Sequence, residues 1–268
     1  MIQPLLGILK HKNPTTSPAP LRLTPCFRCG KDESMTAQEI LAEIKPLGSD
    51  SYRNVLFNHG IPEPCYGVKI EALKKIQKRV KMDYRLALDL YDTGVYDAMY
   101  LAGLIADDAK MTKKDLQHWA EKACAPLARS TVAWVAACSP HAVEMALKWI
   151  DSPKELIAAA GWSTLGSFVA IKPDADLDLA QLKALLQRVQ KTIHSAPNTA
   201  RRQMNSFMIE VGTYVKSLSE FAVQTAKKIG PVNVDVGNTS CQVPFAPDQI
   251  QKAERRGVIG KKRKTVKC

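Results

Sequence analysis

The sequence predicts an all-α protein, an α-solenoid in which antiparallel helical hairpins stack side by side. Three observations carry that prediction. In segment after segment, apolar residues recur at i, i+3, i+4 and i+7, the spacing that gathers them on one helix face. The segments are short and punctuated by helix-opening Ser, Thr, Asp or Pro and by closing Gly, with almost no alternating strand pattern between them. The stretch 156–171 (LIAAAGWSTLGSFVAI) carries no charge at all. A helix apolar all round must be covered on every side, so this one is expected to be the buried centre on which the others pack. In a stack of hairpins each pair buries its face on its neighbours. The spacing between comparable helix starts is irregular, so the repeat is one of structure rather than of sequence.

Residues 1–34 contain five prolines and little periodicity, and are expected to be a disordered extension. Pro4 interrupts an apolar run too short for a signal peptide, so secretion is not expected. The lone Cys26-x-x-Cys29 pair lacks the second ligand pair that zinc needs, so no metal is expected. Met35 precedes the first credible helix and is an alternative translational start. That helix opens on a capping box, Thr36-x-x-Glu39, and shows Ile40, Leu41 and Ile44 on one face. Ser49 to Asn58 follows, stopped by Gly60, and 61–68 (IPEPCYGV) reads as a Pro-rich loop. Ile70, Leu73, Ile76 and Val80 then mark a helix face whose other side is basic. Asp83 caps the next helix, with Leu86, Leu88 and Leu90, and Gly94 ends it. Another helix covers 96–106.

Thr112-x-x-Asp115 opens a helix through Trp119, with Pro126 beyond its end and an Ala/Val-rich helix over 127–138. Ser139-Pro140 and Ser152-Pro153 are read as one device used twice, Ser at the N-cap and Pro at the first helical position. Glu155 falls in the first turn of the apolar helix, where the helix dipole favours an acid, and Pro173 closes it. At about 24 Å by helix rise that helix is short for a membrane span. Helices over 177–193, 197–215 and 219–229 follow. Val232-x-Val234-x-Val236 alternates briefly and is expected to be extended, turned by Gly237-Asn238. Pro247-Asp248 starts a last short helix to Arg256, and 257–268 is expected to be a basic tail beyond the helical domain 35–256.

Charge is unevenly placed. The chain carries +12, of which residues 252–268 supply +7 (eight Lys/Arg, one acid) and residues 1–34 supply +3 (five Lys/Arg, two acids), leaving +2 for 35–251. Three basic elements therefore stand out as candidate phosphate contacts. They are the stripe Lys74, Lys75, Lys78 and Arg79; the pair Arg201 and Arg202 near a helix start; and Lys261, Lys262, Arg263, Lys264 and Lys267 of the tail. Such contacts would bind nucleic acid, while the alternative for the tail is a solubilising end. Four tryptophans (Trp119, Trp134, Trp149, Trp162) either fill core layers or, for Trp134 and Trp162, face a groove and touch a nucleotide. Seven scattered cysteines in a chain this long fit reduced thiols and a cytoplasmic protein. The signatures HExxH, GxSxG and GxGxxG after a strand are missing, and no cofactor is expected. The five histidines are isolated, and the carboxylates Asp107-Asp108 and Asp174, Asp176, Asp178 are expected in solvated turns.

Several runs resemble the DNA alkylation repair (AlkD-like) family: 65–70 (CYGVKI), 90–107 (LYDTGVYDAMYLAGLIAD), 132–137 (VAWVAA), 148–150 (KWI), 158–162 (AAAGW), 204–212 (MNSFMIEVG) and 260–268 (GKKRKTVKC). The resemblance spans roughly 36–268. It implies a HEAT-like array of helical hairpins whose concave face grips duplex DNA, alkylated duplex included; a monomer with no membrane contact is expected. It implies hydrolysis of the N-glycosidic bond of N3- or N7-alkylpurines, whose positive charge makes the base a good leaving group. Glycosylases usually flip the base; studied members of this family do without. The catalytic residues do not carry over. The family's Trp-Trp-Asp-type motif falls on 124–131 (CAPLARST), which has neither aromatic nor acid. Its arginine falls near Ala158 or Ala159, and its later tryptophan near Ser206. Three readings follow: a DNA glycosylase of this family with an altered site, a non-catalytic binder of damaged or distorted DNA, and a protein-interaction solenoid.

Overall fold

Local capping chemistry sets most of the helix starts. The computed structural model describes residues 35–237 and 239–267. The expected N-terminal extension, its Cys26/Cys29 pair and the question of a start at Met35 lie outside the described residues. Thr36 and Glu39 cap α1 (Ala37–Ile44) reciprocally, as Thr112 and Asp115 cap α6 (Lys113–Lys122). Ser49 caps α2 (Asp50–Asn58) and Asp83 caps α4 (Tyr84–Asp92), each accepting from a backbone N–H three residues on. Between them lies α3 (Ile70–Val80), and α5 (Tyr96–Ile105) follows. Asp178, expected in a solvated turn, instead caps α11 (Leu179–Thr192) by accepting from the Gln181 N–H. No strand forms among the described residues; Gly48 and Val68 make one isolated bridge.

The Ser-Pro device works differently from the expectation. Ser139 and Ser152 each stand three residues ahead of α9 (Ala142–Ile150) and α10 (Glu155–Ile171), whose N-caps are His141 and Lys154. Each hydroxyl accepts from the N–H two residues on, at 3.2 Å from His141 and 3.1 Å from Lys154. That is a serine turn, which competes with helix capping for the same hydroxyl. Pro126 lies beyond the end of α6, as expected, but it also opens the next helix. It sits inside the first turn of α7 (Ala125–Leu127), which runs through a π-helical turn, Ala128–Val132, into α8 (Ala133–Cys138).

Two large apolar cores share the central helix, and a small third cluster, Leu56, Ile61 and Cys65, joins α2 to the Pro-rich loop. The first gathers α1 and α3 to α8, with Met145 and Trp149 of α9 and Ile157, Ala160 and Ala170 of α10. The second gathers α9 to α12 (Asn198–Tyr214), α13 (Ser219–Ile229) and α14 (Ala246–Arg255), and includes Trp162, Leu165 and Val169. α10 thus packs on α6, α8, α9 and α12 with nearly every residue buried. Gly161 permits this closeness: a Cβ there would meet the Ile150 amide nitrogen at 2.7 Å and the Ala146 carbonyl oxygen at 2.9 Å. No helix among the described residues is long and apolar enough to cross a membrane. Short turns between helices that pack on each other, as in α4–α5, α9–α10 and α12–α13, make the all-α stack of hairpins that the periodicity predicts.

The chain end is not a free tail. Val266 is buried in the first core, the Arg263 N–H donates to Ala170, and the Gly260 N–H donates to Thr213. Lys262 pairs with Asp174 at 2.7 Å and Lys267 with Asp108 at 2.8 Å. Two acids expected in solvated turns therefore anchor the last segment, and residues 35–268 form one unit.

Candidate functional site

The polar face of α12 builds one wall of the site. Asn198, Arg201 and Asn205 recur at i, i+3 and i+7, so they line one side of the helix. Each binds backbone of the segment between α13 and α14. The Asn198 amide donates to the Asp235 carbonyl and accepts from the Asp235 N–H, both at 2.8 Å. Arg201 donates to Asn233 at 2.9 Å and Asn205 to Pro244 at 3.0 Å. Val232 to Val236 is held by these side chains in place of a partner strand, which is why its alternation forms no sheet.

The opposite wall is the π-helical turn. Thr131 lies against α5 at Gly103, where a Cβ would meet its Cγ2 at 2.5 Å. The Ser163 hydroxyl of α10 donates to the Arg129 carbonyl at 2.9 Å. π-turns inside α-helices are frequent at functional sites. With its backbone fixed on two sides, Arg129 lines a cleft of about 250 Å³ together with Arg202, Gln203, Asn198, Thr199 and the end of α2 at His59 and Gly60.

Neither of the two arginines in this cleft is paired with an acid among the described residues. Among the described residues neither the Arg129 nor the Arg202 guanidinium makes a hydrogen bond or an ion pair. Burial and then the nearby Arg202 charge pull the Arg129 pKa below its ordinary value. The carboxylate in the lining, Asp235, is exposed and accepts from the Gly237 N–H at 2.9 Å. Glu155, expected to serve its own helix, reaches across to accept from the Thr199 N–H at the start of α12. A half-buried, uncompensated pair of guanidiniums is suited to bidentate recognition of phosphate.

The residues singled out from sequence are dispersed. Arg202 lines the cleft, whereas its neighbour Arg201 donates to Ala196 and Asn233 and is structural. Lys74, Lys75, Lys78 and Arg79 lie on α3 and none lines the cleft; Arg79 is paired with Glu43. Lys261, Arg263 and Lys264 are exposed, while Lys262 and Lys267 are bound to acids. Trp134 is core, packed edge-on to Tyr100 at 5.7 Å, so it does not face a groove. Trp162 is 2% exposed, tilted on Phe207 with the Arg188 guanidinium over it, and edges a separate pocket of about 200 Å³. Large apolar rings went to the cores because little else of comparable area was there to fill them. Arg129 was missed by sequence reasoning, yet it is the one charged residue between Lys122 and His141. An isolated charge in such an apolar stretch is the signal. No group of three or more His, Cys, Asp or Glu is placed to hold a metal among the described residues.

Comparison with known proteins agrees with this architecture. The DNA alkylation repair enzyme family matches residues 40–231. An uncharacterised protein of Listeria innocua is 32% identical over 228 residues, 83% of this chain and 99% of the relative. A second, from Listeria monocytogenes, is 31% identical over the same shares. A solved structure with a TM-score of 0.82 and 35% identity covers 87% of this chain and 100% of its own. It represents a family described as related to the HEAT-like repeat DNA glycosylases, with affinity for branched DNA structures. On the extent of the sequence match and of the shared helical stack, the chain belongs to the DNA alkylation repair enzyme family.

Proposed function

We propose that the protein binds DNA through the cleft between the π-turn and α12, with branched structures as its ligand, and does not hydrolyse glycosidic bonds. The carrying observation is the pair Arg129 and Arg202, half-buried in one cleft and, among the described residues, neither paired with an acid. Two like charges held together in a cleft of lowered dielectric repel each other until an anion enters. A phosphate backbone supplies that anion, and a branch point brings phosphates of more than one strand close together. The affinity of the structural relative for branched DNA supports the same ligand here.

The same pair argues against base excision. N3- and N7-alkylpurines are cationic, and departure of the base leaves positive charge on the sugar. Such a transition state calls for a carboxylate aimed at the developing charge. This cleft presents two guanidiniums instead, and its Asp235 is exposed and turned to the backbone of Gly237. The paired test uses a junction and an alkylated duplex. Arg129→Gln and Arg202→Gln should each weaken junction binding roughly ten- to hundredfold, the worth of a charge-assisted hydrogen bond. Each should also lower the salt slope by about one unit. Wild type incubated with methylated duplex should release no base beyond the spontaneous rate. Enzymatic release of methylpurine would overturn the non-catalytic reading, and unchanged junction affinity in both variants would overturn the cleft assignment.

A further inference from the structure

Beside the arginine cleft lies a second compartment with opposite chemistry. It encloses about 220 Å³ and is lined by Pro62, Tyr96, Met99, Lys122, Cys124 and Leu127, with Gly94 at its edge. Its walls are fixed. The Tyr96 N–H donates to Pro64 at 2.9 Å, and the buried Asp97 carboxylate accepts from the Tyr66 and Val68 N–H groups at 2.6 and 2.8 Å. Those three bonds hold the Pro-rich loop onto the start of α5. Met99 and Leu127 belong to the first core and are almost fully buried, so the floor is apolar. The Lys122 ammonium is turned away to Asp92, leaving only its stem in the wall.

The two compartments run along the same two chain segments. Residues 57–60 line the cleft and Pro62 lines the pocket; Ala125, Pro126 and Arg129 line the cleft, and Cys124 and Leu127 line the pocket. A phosphate held by the arginines would thus sit next to an apolar slot with an aromatic wall. At about 220 Å³ the slot is smaller than the roughly 300–1,000 Å³ typical of sites for drug-sized ligands. It has room for one ring system and no room for a whole nucleotide.

We infer that this pocket receives a single unpaired nucleobase from the DNA whose phosphates occupy the arginine cleft. This rests on the DNA-binding reading above and deepens it. Every base has a π-face, so stacking on Tyr96 against Met99 and Leu127 would hold any of the four. The pocket offers few polar groups to read a base edge, so it selects for an unpaired base and against none in particular. That fits a ligand defined by its branch rather than by its sequence.

The test places 2-aminopurine, unpaired, at the branch of a three-way junction, with a fully paired four-way junction as comparison. Wild type should quench the probe by stacking. Cys124→Phe should fill the slot, abolish quenching and weaken binding to the unpaired junction by roughly fivefold or more, as the absence of one stacked base implies. It should bind the fully paired junction as wild type does. Cys124→Ser keeps the volume open and should behave as wild type, which separates filling from loss of the thiol. Tyr96→Leu keeps an apolar wall without the ring and should also lose quenching, which serves if the phenylalanine variant does not fold. Undiminished quenching in folded Cys124→Phe or Tyr96→Leu overturns the pocket. Loss of binding to both junctions in Arg202→Gln, with quenching intact in the pocket variants, would sink the pocket and leave the cleft standing; the reverse would sink the cleft.

Discussion

Glu210 shows how far a residue's surroundings can carry it from its sequence meaning. It lies on α12 against Gly166 of α10, where a Cβ would overlap its carboxylate, and its Oε2 is buried without a hydrogen bond. Burial pushes its pKa up to about 8, and the Arg263 charge opposes only part of that. The folded state therefore holds a proton that the unfolded chain has lost, between the ordinary carboxylate range and about pH 8. Stability from this group is full at low pH and declines as pH rises through that window. Glu210→Gln mimics the neutral acid, so it should melt like wild type near pH 4 and increasingly above wild type as pH rises to about 8. Thermal melts across that range check it; a constant difference between the two proteins would mean Glu210 is not the titrating group. The same scale separates Arg201 from Arg202. Two adjacent arginines read alike in sequence, yet one is consumed by backbone carbonyls and the other has no hydrogen-bond partner among the described residues. Nothing local in the sequence distinguishes them, because the partner segment lies about thirty residues on.

Elements were largely legible where the signal was a face or a cap. The boxes at Thr36 and Thr112, the face of α3 and the uncharged stretch 156–171 of α10 all follow from spacing and side-chain chemistry within one or two turns. The cleft was less legible, because its walls come from elements far apart in the chain. One wall hangs on the ladder Asn198, Arg201, Asn205, whose regular spacing was readable but whose partner was not. Asn198→Ala removes two hydrogen bonds to Asp235 and should loosen 231–245 without touching either core. Limited proteolysis should then cut that segment faster, with the melting temperature nearly unchanged; equal protection would show that Arg201 and Asn205 suffice. The α9–α10 packing is the opposite case. Gly161→Ala sets a methyl against backbone atoms of Ala146 and Ile150, which cannot swing aside. Overpacking of this kind costs about 1–3 kcal/mol, more than the roughly 1 kcal/mol of helix propensity gained over glycine. The net destabilisation should appear as a lower melting temperature, and a stabilised variant would mean the two helices stand further apart.

At the scale of the whole molecule, the C-terminal segment changes what its charge can do. The sequence places five basic residues there as if all could follow a duplex backbone. In the fold, Lys262 and Lys267 are held by Asp174 and Asp108, and Val266 fills part of the first core. Deleting 257–268 would therefore open that core and leave two acids unpaired, so weaker binding would report damaged structure. The informative change removes charge without removing the anchor. Lys261, Arg263 and Lys264 are the exposed three, and replacing them with Gln keeps Val266 and both ion pairs. Every phosphate that is no longer neutralised lowers the log–log salt slope by about 0.9, so the triple variant should flatten it by at most about 2.7. Bonds to the phosphate backbone carry no sequence or base information. Affinity for branched and linear DNA should accordingly fall by the same factor, with any preference between them intact if it resides in the cleft as proposed. Binding measured from low to physiological salt on both ligands decides it. An unchanged slope would assign the exposed three to solubility alone. Disappearance of the preference would place this segment at the branch point itself, beside Arg129 and Arg202.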